Sequence, residues 1–185
     1  MQKLHIYQPS EQDDLAWPEA DKNFTLNTPA IEFFSDFMQS EPLVIEGATS
    51  ASEAKMFFHK EHVSMKLVID DDSHFIGVVS LKELDEQEII RRASEGFKRE
   101  DILVSDLMKP KHELMALDIH EVTRATVSDI IQALKENSKE YCLFIDHNTH
   151  KIRGIVSAEG IARKLHIPIN IQDRPEFYKA FSAVS

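Results

Sequence analysis

The chain has 185 residues, 42% apolar and 29% charged, a balance that gives a globular protein with a real core and excludes a disordered or fibrous one. Twenty-one basic against 32 acidic residues leave a net charge of −11, which repels phosphate backbones and anionic lipid heads and argues against nucleic acid and membranes as partners. A lone cysteine, Cys142, a start without a signal-like apolar stretch, and no run of about 18 apolar residues argue against a disulfide framework, export and a membrane span. The expected location is the cytoplasm.

Residues 1–30, polar and acidic with Pro9, Pro18 and Pro29, read as an arm, with Trp17, Phe24 and Leu26 as its expected anchors. After it the chain repeats itself. Ser35-Asp36-Phe37-Met38 returns as Ser105-Asp106-Leu107-Met108, and Ala48-Thr49 as Ala125-Thr126. Leu67-Val68-Ile69-Asp70 returns as Leu143-Phe144-Ile145-Asp146, and Gly77-Val78-Val79-Ser80 as Gly154-Ile155-Val156-Ser157. Four matches in one order mark a supersecondary unit used twice.

In the first copy, Leu43 to Ile45 reads as a short strand. A helix follows, with Ala54, Phe57 and Phe58 at helical spacing, capped by Thr49 or Ser50 with Glu53 closing a capping box. Strands Met65–Ile69 and Phe75–Val79 flank the turn-forming DDDSH. Leu81 and Leu84 lead into a closing helix that carries Ile90, Ala93 and Phe97, prolonged by the charged stretch EQEIIRRASEGFKRED. The second copy offers Leu114–Leu117, then a helix with Val127, Ile130, Ile131 and Leu134 capped by Thr126 and Asp129. Strands Tyr141–Ile145 and Ile152–Val156 come next, then a helix with Ala158, Ile161, Ala162 and Leu165 on one face.

Each unit therefore reads strand-helix-strand-strand-helix, a mixed α/β (α+β) pattern. A unit this small cannot cover both faces of its sheet, so the two should pack into one core. The expected division is an arm at 1–30, repeats at 31–100 and 101–170, and a tail at 171–185.

The S-D-x-M openings, the strand V-S-M-K-L-V-I-D of residues 63–70 and the strands ending GVVS and GIVS resemble the tandem CBS-domain family, the Bateman module, over roughly residues 31–170. The resemblance implies a pseudo-two-fold pair whose cleft binds an adenosine-type ligand (AMP, ADP, ATP or S-adenosylmethionine) as a regulatory ligand, with no required cofactor, and signals to an effector protein. It also implies a homodimer, to which the Ile90, Ala93, Phe97 stripe would contribute. In that family a motif G-h-h-T/S-x-x-D holds the ribose hydroxyls. This chain has Glu83 in place of the aspartate in the first copy and Gly160 in the second, where Glu159 points about 100° away on a helix. The carboxylate-bearing copy, Ser80 with Glu83, is therefore the expected ribose site, and Ser157 is the matching hydroxyl.

Two readings of these residues stand side by side. Ser80-x-x-Glu83 at a strand-to-helix junction is also a capping box, and Ser157 an ordinary N-cap. Lys66 and Arg153, the basic residues set inside apolar strands, would either meet a phosphate or pair with a neighbouring carboxylate. His59-x-x-His62 and the polar hairpin tips read as a solvated helix face and turns rather than metal sites. No nucleophile elbow, phosphate loop or zinc signature occurs, and Cys142 lies in an apolar run, so the expectation is not an enzyme. An enzyme would require a metal site hidden among His59, His62 and His147. The second function in view is a ligand-free dimeric scaffold, favoured by Gly160.

Overall fold

The computed structural model describes Gln8 and residues 24–169. Trp17 and most of the arm, and the tail from 171, lie outside them.

The first half runs β1 (Val44–Glu46), α2 (Ala51–Glu61), β2 (Met65–Ile69), β3 (Phe75–Ser80) and α3 (Glu86–Ser94), after a short α1 (Ala30–Phe33). The second half opens with α4 (Val104–Leu107) and β4 (Lys109–Pro110). It continues with β5 (Met115–Asp118), α5 (Ile119–Val122), α6 (Val127–Glu136), β6 (Tyr141–Asp146), β7 (Lys151–Ser157) and α7 (Ala158–Leu165). In each half the entry strand lies parallel to the middle one, and the middle pairs antiparallel with the third.

The register repeats with the topology. Met65 faces Ser80 and Tyr141 faces Ser157, and both hairpins carry a bulge opposite the stretch next to their glycine, at Val68/Ile69 and Phe144/Ile145. Ser80 and Ser157 thus occupy equivalent positions, as the sequence match requires. The hairpin tips are turn chemistry: Asp70 Oδ1 accepts from the N–H of Asp72 and His74, and Asp146 Oδ1 from those of Asn148 and Thr149.

The opening segment of each half packs on the other half. Ala51 donates its N–H to Ile102 O and Val104 to Thr49 O; the counterparts are Ala30 to Ala125 O and Val127 to Thr28 O. The cores follow the same exchange. Ile102 and Val104 are buried with Ala54, Phe58 and Val68 of the first half, and Ala30, Phe33 and Phe34 with Ile130, Leu134 and Phe144 of the second. Between the two sheets, Leu67, Val78 and Tyr141 form a third cluster with Ile155 and Met65 alongside. The glycines of the GVVS and GIVS strands let the opening segments come close: a Cβ on Gly77 would meet Lys109 O at 2.5 Å, and one on Gly154 would strike the Phe34 ring.

Two local expectations change. Residues 81–84 are turns, and the closing helix of the first half restarts at Glu86, whose N–H is capped by Asp85 Oδ1 at 2.7 Å. Its phase therefore buries Ile89 and leaves Ile90 exposed. The helix also stops at Ser94 instead of running on through the charged stretch, because the chain turns at Gly96, whose φ of +104° favours glycine. Capping is complete at Thr126 with Asp129, while Ser50 accepts from Glu53 N–H without the return bond being present among the described contacts.

Candidate functional site

Strand ends and helix starts meet where the halves face each other, and Ser80 and Ser157 sit there. Ser157 caps α7, its Oγ accepting from Gly160 N–H at 2.9 Å. Ser80 does not cap a helix. Its N–H donates to Glu83 Oε2 at 2.8 Å, and its Oγ donates to the same oxygen at 2.5 Å. Tyr141, from the other half, donates its O–H to Glu83 at 3.3 Å. Ser80, Glu83 and Tyr141 are all buried, and burial together with the Glu83 carboxylate pushes the Tyr141 phenol upward. Glu83 thus faces inward and is held by Ser80 across a turn, without the helix that a capping box would start. Tyr141 as its partner was invisible in the sequence, since 58 residues separate them.

The two strand cations both have carboxylate partners. Lys66 Nζ, with its side chain 8% exposed, lies 2.7 Å from Glu61 at the end of α2. Arg153 grips Asp36 of the opening S-D-F-M segment with two bonds, Nε to Oδ1 at 2.9 Å and a terminal nitrogen to Oδ2 at 2.5 Å. That guanidinium holds the Asp36 carboxyl below its ordinary value. Phe37 N–H donates to Arg153 O in the same contact, so the motif works as a clasp between halves. Asp106 in the second motif acts differently, accepting from Leu103 N–H in its own segment.

Around the pseudo-two-fold axis lie three cavities. The first, about 540 Å³, runs between the Phe33–Leu43 segment, β2 and the start of α7; its lining includes Met65, Lys66, Ser157, Gly160 and Lys164. Its walls are mainly apolar, with Phe34, Phe37, Ile155 and Ile161 among them. Lys164 Nζ sits at its edge, donating to Phe33 O at 2.7 Å and lying 4.7 Å from the Phe33 ring centre; burial lowers its pKa. The second, about 470 Å³, is lined by Glu83, Arg92, Ser105–Pro110 and neighbours. On the axis itself a third, about 460 Å³, brings Ser80, Ser157, Met65 and Tyr141 together. The Lys82–Glu140 ion pair joins the halves nearby. Arg153 lines none of the three.

His62 ends α2 in a left-handed conformation, and among the described residues no group of three or more His, Cys, Asp or Glu could hold a metal. Burial raises the Cys142 thiol to about 12, which leaves it protonated and unreactive at neutral pH. Among the described residues no helix is long and apolar enough to cross a membrane.

Two halves of equal topology, each completed by the other's opening segment, define a repeat-pair module with clefts along its axis. Residues 34–87 match the CBS domain family, and the second half repeats the same strand order and register. The fold is that of paired CBS-type repeats, with the family match lying in the first half. Among solved structures it is similar to an uncharacterized conserved protein from Pyrococcus horikoshii, at 19% identity and a TM-score of 0.53, covering 80% of this chain and 98% of that one. A hemolysin-like protein containing a CBS domain from Oenococcus oeni PSU follows at 16% identity and 0.52, covering 76% and 92%. A GMP reductase from Trypanosoma brucei matches at 15% identity and 0.51, covering 72% of this chain and 26% of that one. No curated protein sequence matches. At these identities the likeness establishes the fold.

Proposed function

We propose that this CBS pair is a regulatory binding module that takes an adenosine-type ligand between its halves and passes its occupancy to a partner protein. The observation that carries this is the cavity of about 540 Å³ at Ser157 and Gly160. Its size falls within the ~300–1,000 Å³ of small-molecule sites. Apolar walls suit a base, the Ser157 hydroxyl a ribose, and Arg163 and Lys164 at the mouth a phosphate. The covalent repeats are taken as 31–100 and 101–170, with their opening segments exchanged. The ligand is placed here rather than at Ser80 and Glu83, because Glu83 already accepts three hydrogen bonds inside the protein. No chemical step is assigned: the protein is read as a non-enzymatic module of the cytoplasm, and the reductase likeness covers only 26% of that enzyme's chain.

Titration calorimetry with adenosine, AMP, ADP, ATP and S-adenosylmethionine tests the reading. A ligand at one hundred times its Kd adds about 2.7 kcal/mol of stability, a rise of several degrees in Tm. No heat and no shift with any of the five would sink it.

The alternative is a ligand-free dimeric scaffold, favoured by the missing carboxylate at Gly160. Both readings include a homodimer, for which Ile90 and Phe97, 56% and 48% exposed, supply apolar surface on the helical side. Light scattering at micromolar concentration should give twice the chain mass, and Ile90→Glu with Phe97→Glu should return it to the single-chain value. A wild-type protein of single-chain mass removes the dimer from both.

A further inference from the structure

The repeat relates Met65 to Tyr141, Ser157 to Ser80 and Gly160 to Glu83, since Met65 pairs with Ser80 as Tyr141 pairs with Ser157. Two like clefts should result. The cleft of about 540 Å³ is lined by Met65, Ser157 and Gly160, yet of their counterparts only Glu83 lines the cavity on the other side. Where Gly160 has no side chain and donates its N–H to Ser157 Oγ, Glu83 carries a buried carboxylate; where Met65 stands, Tyr141 brings a ring that packs with Leu67 and Val78.

We propose that Glu83 and Tyr141 are a plug that occupies the Ser80 end of the first-half cleft and leaves there only the cavity of about 470 Å³ that Ser80 and Tyr141 do not line, so that the protein takes one ligand per chain instead of two. The proposal rests on the reading of the open cleft as the ligand site. Its physical basis is the bonding of the carboxylate. A buried charge is costly unless several donors meet it, and Glu83 has the Ser80 N–H, the Ser80 hydroxyl and the Tyr141 hydroxyl. Swinging out to admit a ligand would break all three at once.

The test copies the open half onto the closed one. AMP is titrated calorimetrically into the wild type and into the double variant Glu83→Gly, Tyr141→Met, with a melting curve for each as a check of folding. The expected result is one AMP per wild-type chain and two per variant chain. One AMP in both overturns the plug and leaves the open-cleft reading standing. None in the wild type but one in the variant upholds the plug and overturns that reading. Two in the wild type, or none in either protein, overturns the plug. Should the double variant melt without cooperativity, Glu83→Gly alone is read by the same outcomes, and Glu83→Gln, which keeps the bulk, should leave the wild-type stoichiometry unchanged.

Discussion

Replacing Phe144 by alanine is expected to remove about 3–5 kcal/mol of stability, the usual cost of emptying a fully buried phenylalanine site. Phe144 is 1% exposed, in the middle of β6, and meets the Phe34 ring edge to face at 4.5 Å between centroids. Phe34 comes from the segment that precedes the first half, so the cavity would open at the seam where that segment locks onto the second half. Because a domain's whole stability is about 5–15 kcal/mol, a fall of roughly 6–20 °C in Tm should follow at about 2–4 °C per kcal/mol. Hydrogen exchange should also quicken at Ala30 and Phe37, whose N–H groups bond across that seam. An unchanged Tm would contradict the packing of the second core.

Gly77→Ala should cost about 1–3 kcal/mol through overpacking rather than a cavity. The added methyl would sit 2.5 Å from Lys109 O and 2.8 Å from Met108 Sδ. The thioether can yield, but the carbonyl belongs to β4, which pairs with Gly77 and Val78 through Pro110 and Lys109. The strand pair must therefore part, and the loss should appear as a lower urea midpoint with little change in m. A variant as stable as the wild type would mean that β4 does not press on β3.

Much of this protein is legible in its sequence because the signals are local. The paired motifs fix two copies of one unit, and β-branched runs between turn-forming Asp and Asn fix the hairpins to within a residue or two. The core faces of α2, α6 and α7 follow from helical spacing, because period and side-chain direction depend only on neighbours a few positions away. The closing helix of the first half escaped by a single position: the turn at 81–84 reset its phase, and so Ile89, not Ile90, entered the core.

The candidate site was legible in its membership and not in its bonding. Ser80, Glu83, Ser157, Lys66 and Arg153 could be named from motif positions and from charge set in apolar strands. Whether each meets a ligand or the protein depends on groups far along the chain. Arg153 finds Asp36 across 117 residues, and Glu83 finds Tyr141 across 58. Lys66 lies nearer to its partner, but its pairing with Glu61 at the end of α2 likewise depends on how that helix lies against β2. The sequence by itself determined the repeat, the elements and the paired fold. The tertiary structure alone decided that the opening segments exchange between halves, that Arg153 is held by Asp36, and that Glu83 is held by Ser80 and Tyr141. The reason is that closing a long loop costs little more free energy than closing a short one, so distant residues become partners on packing and hydrogen-bonding grounds that no local pattern records.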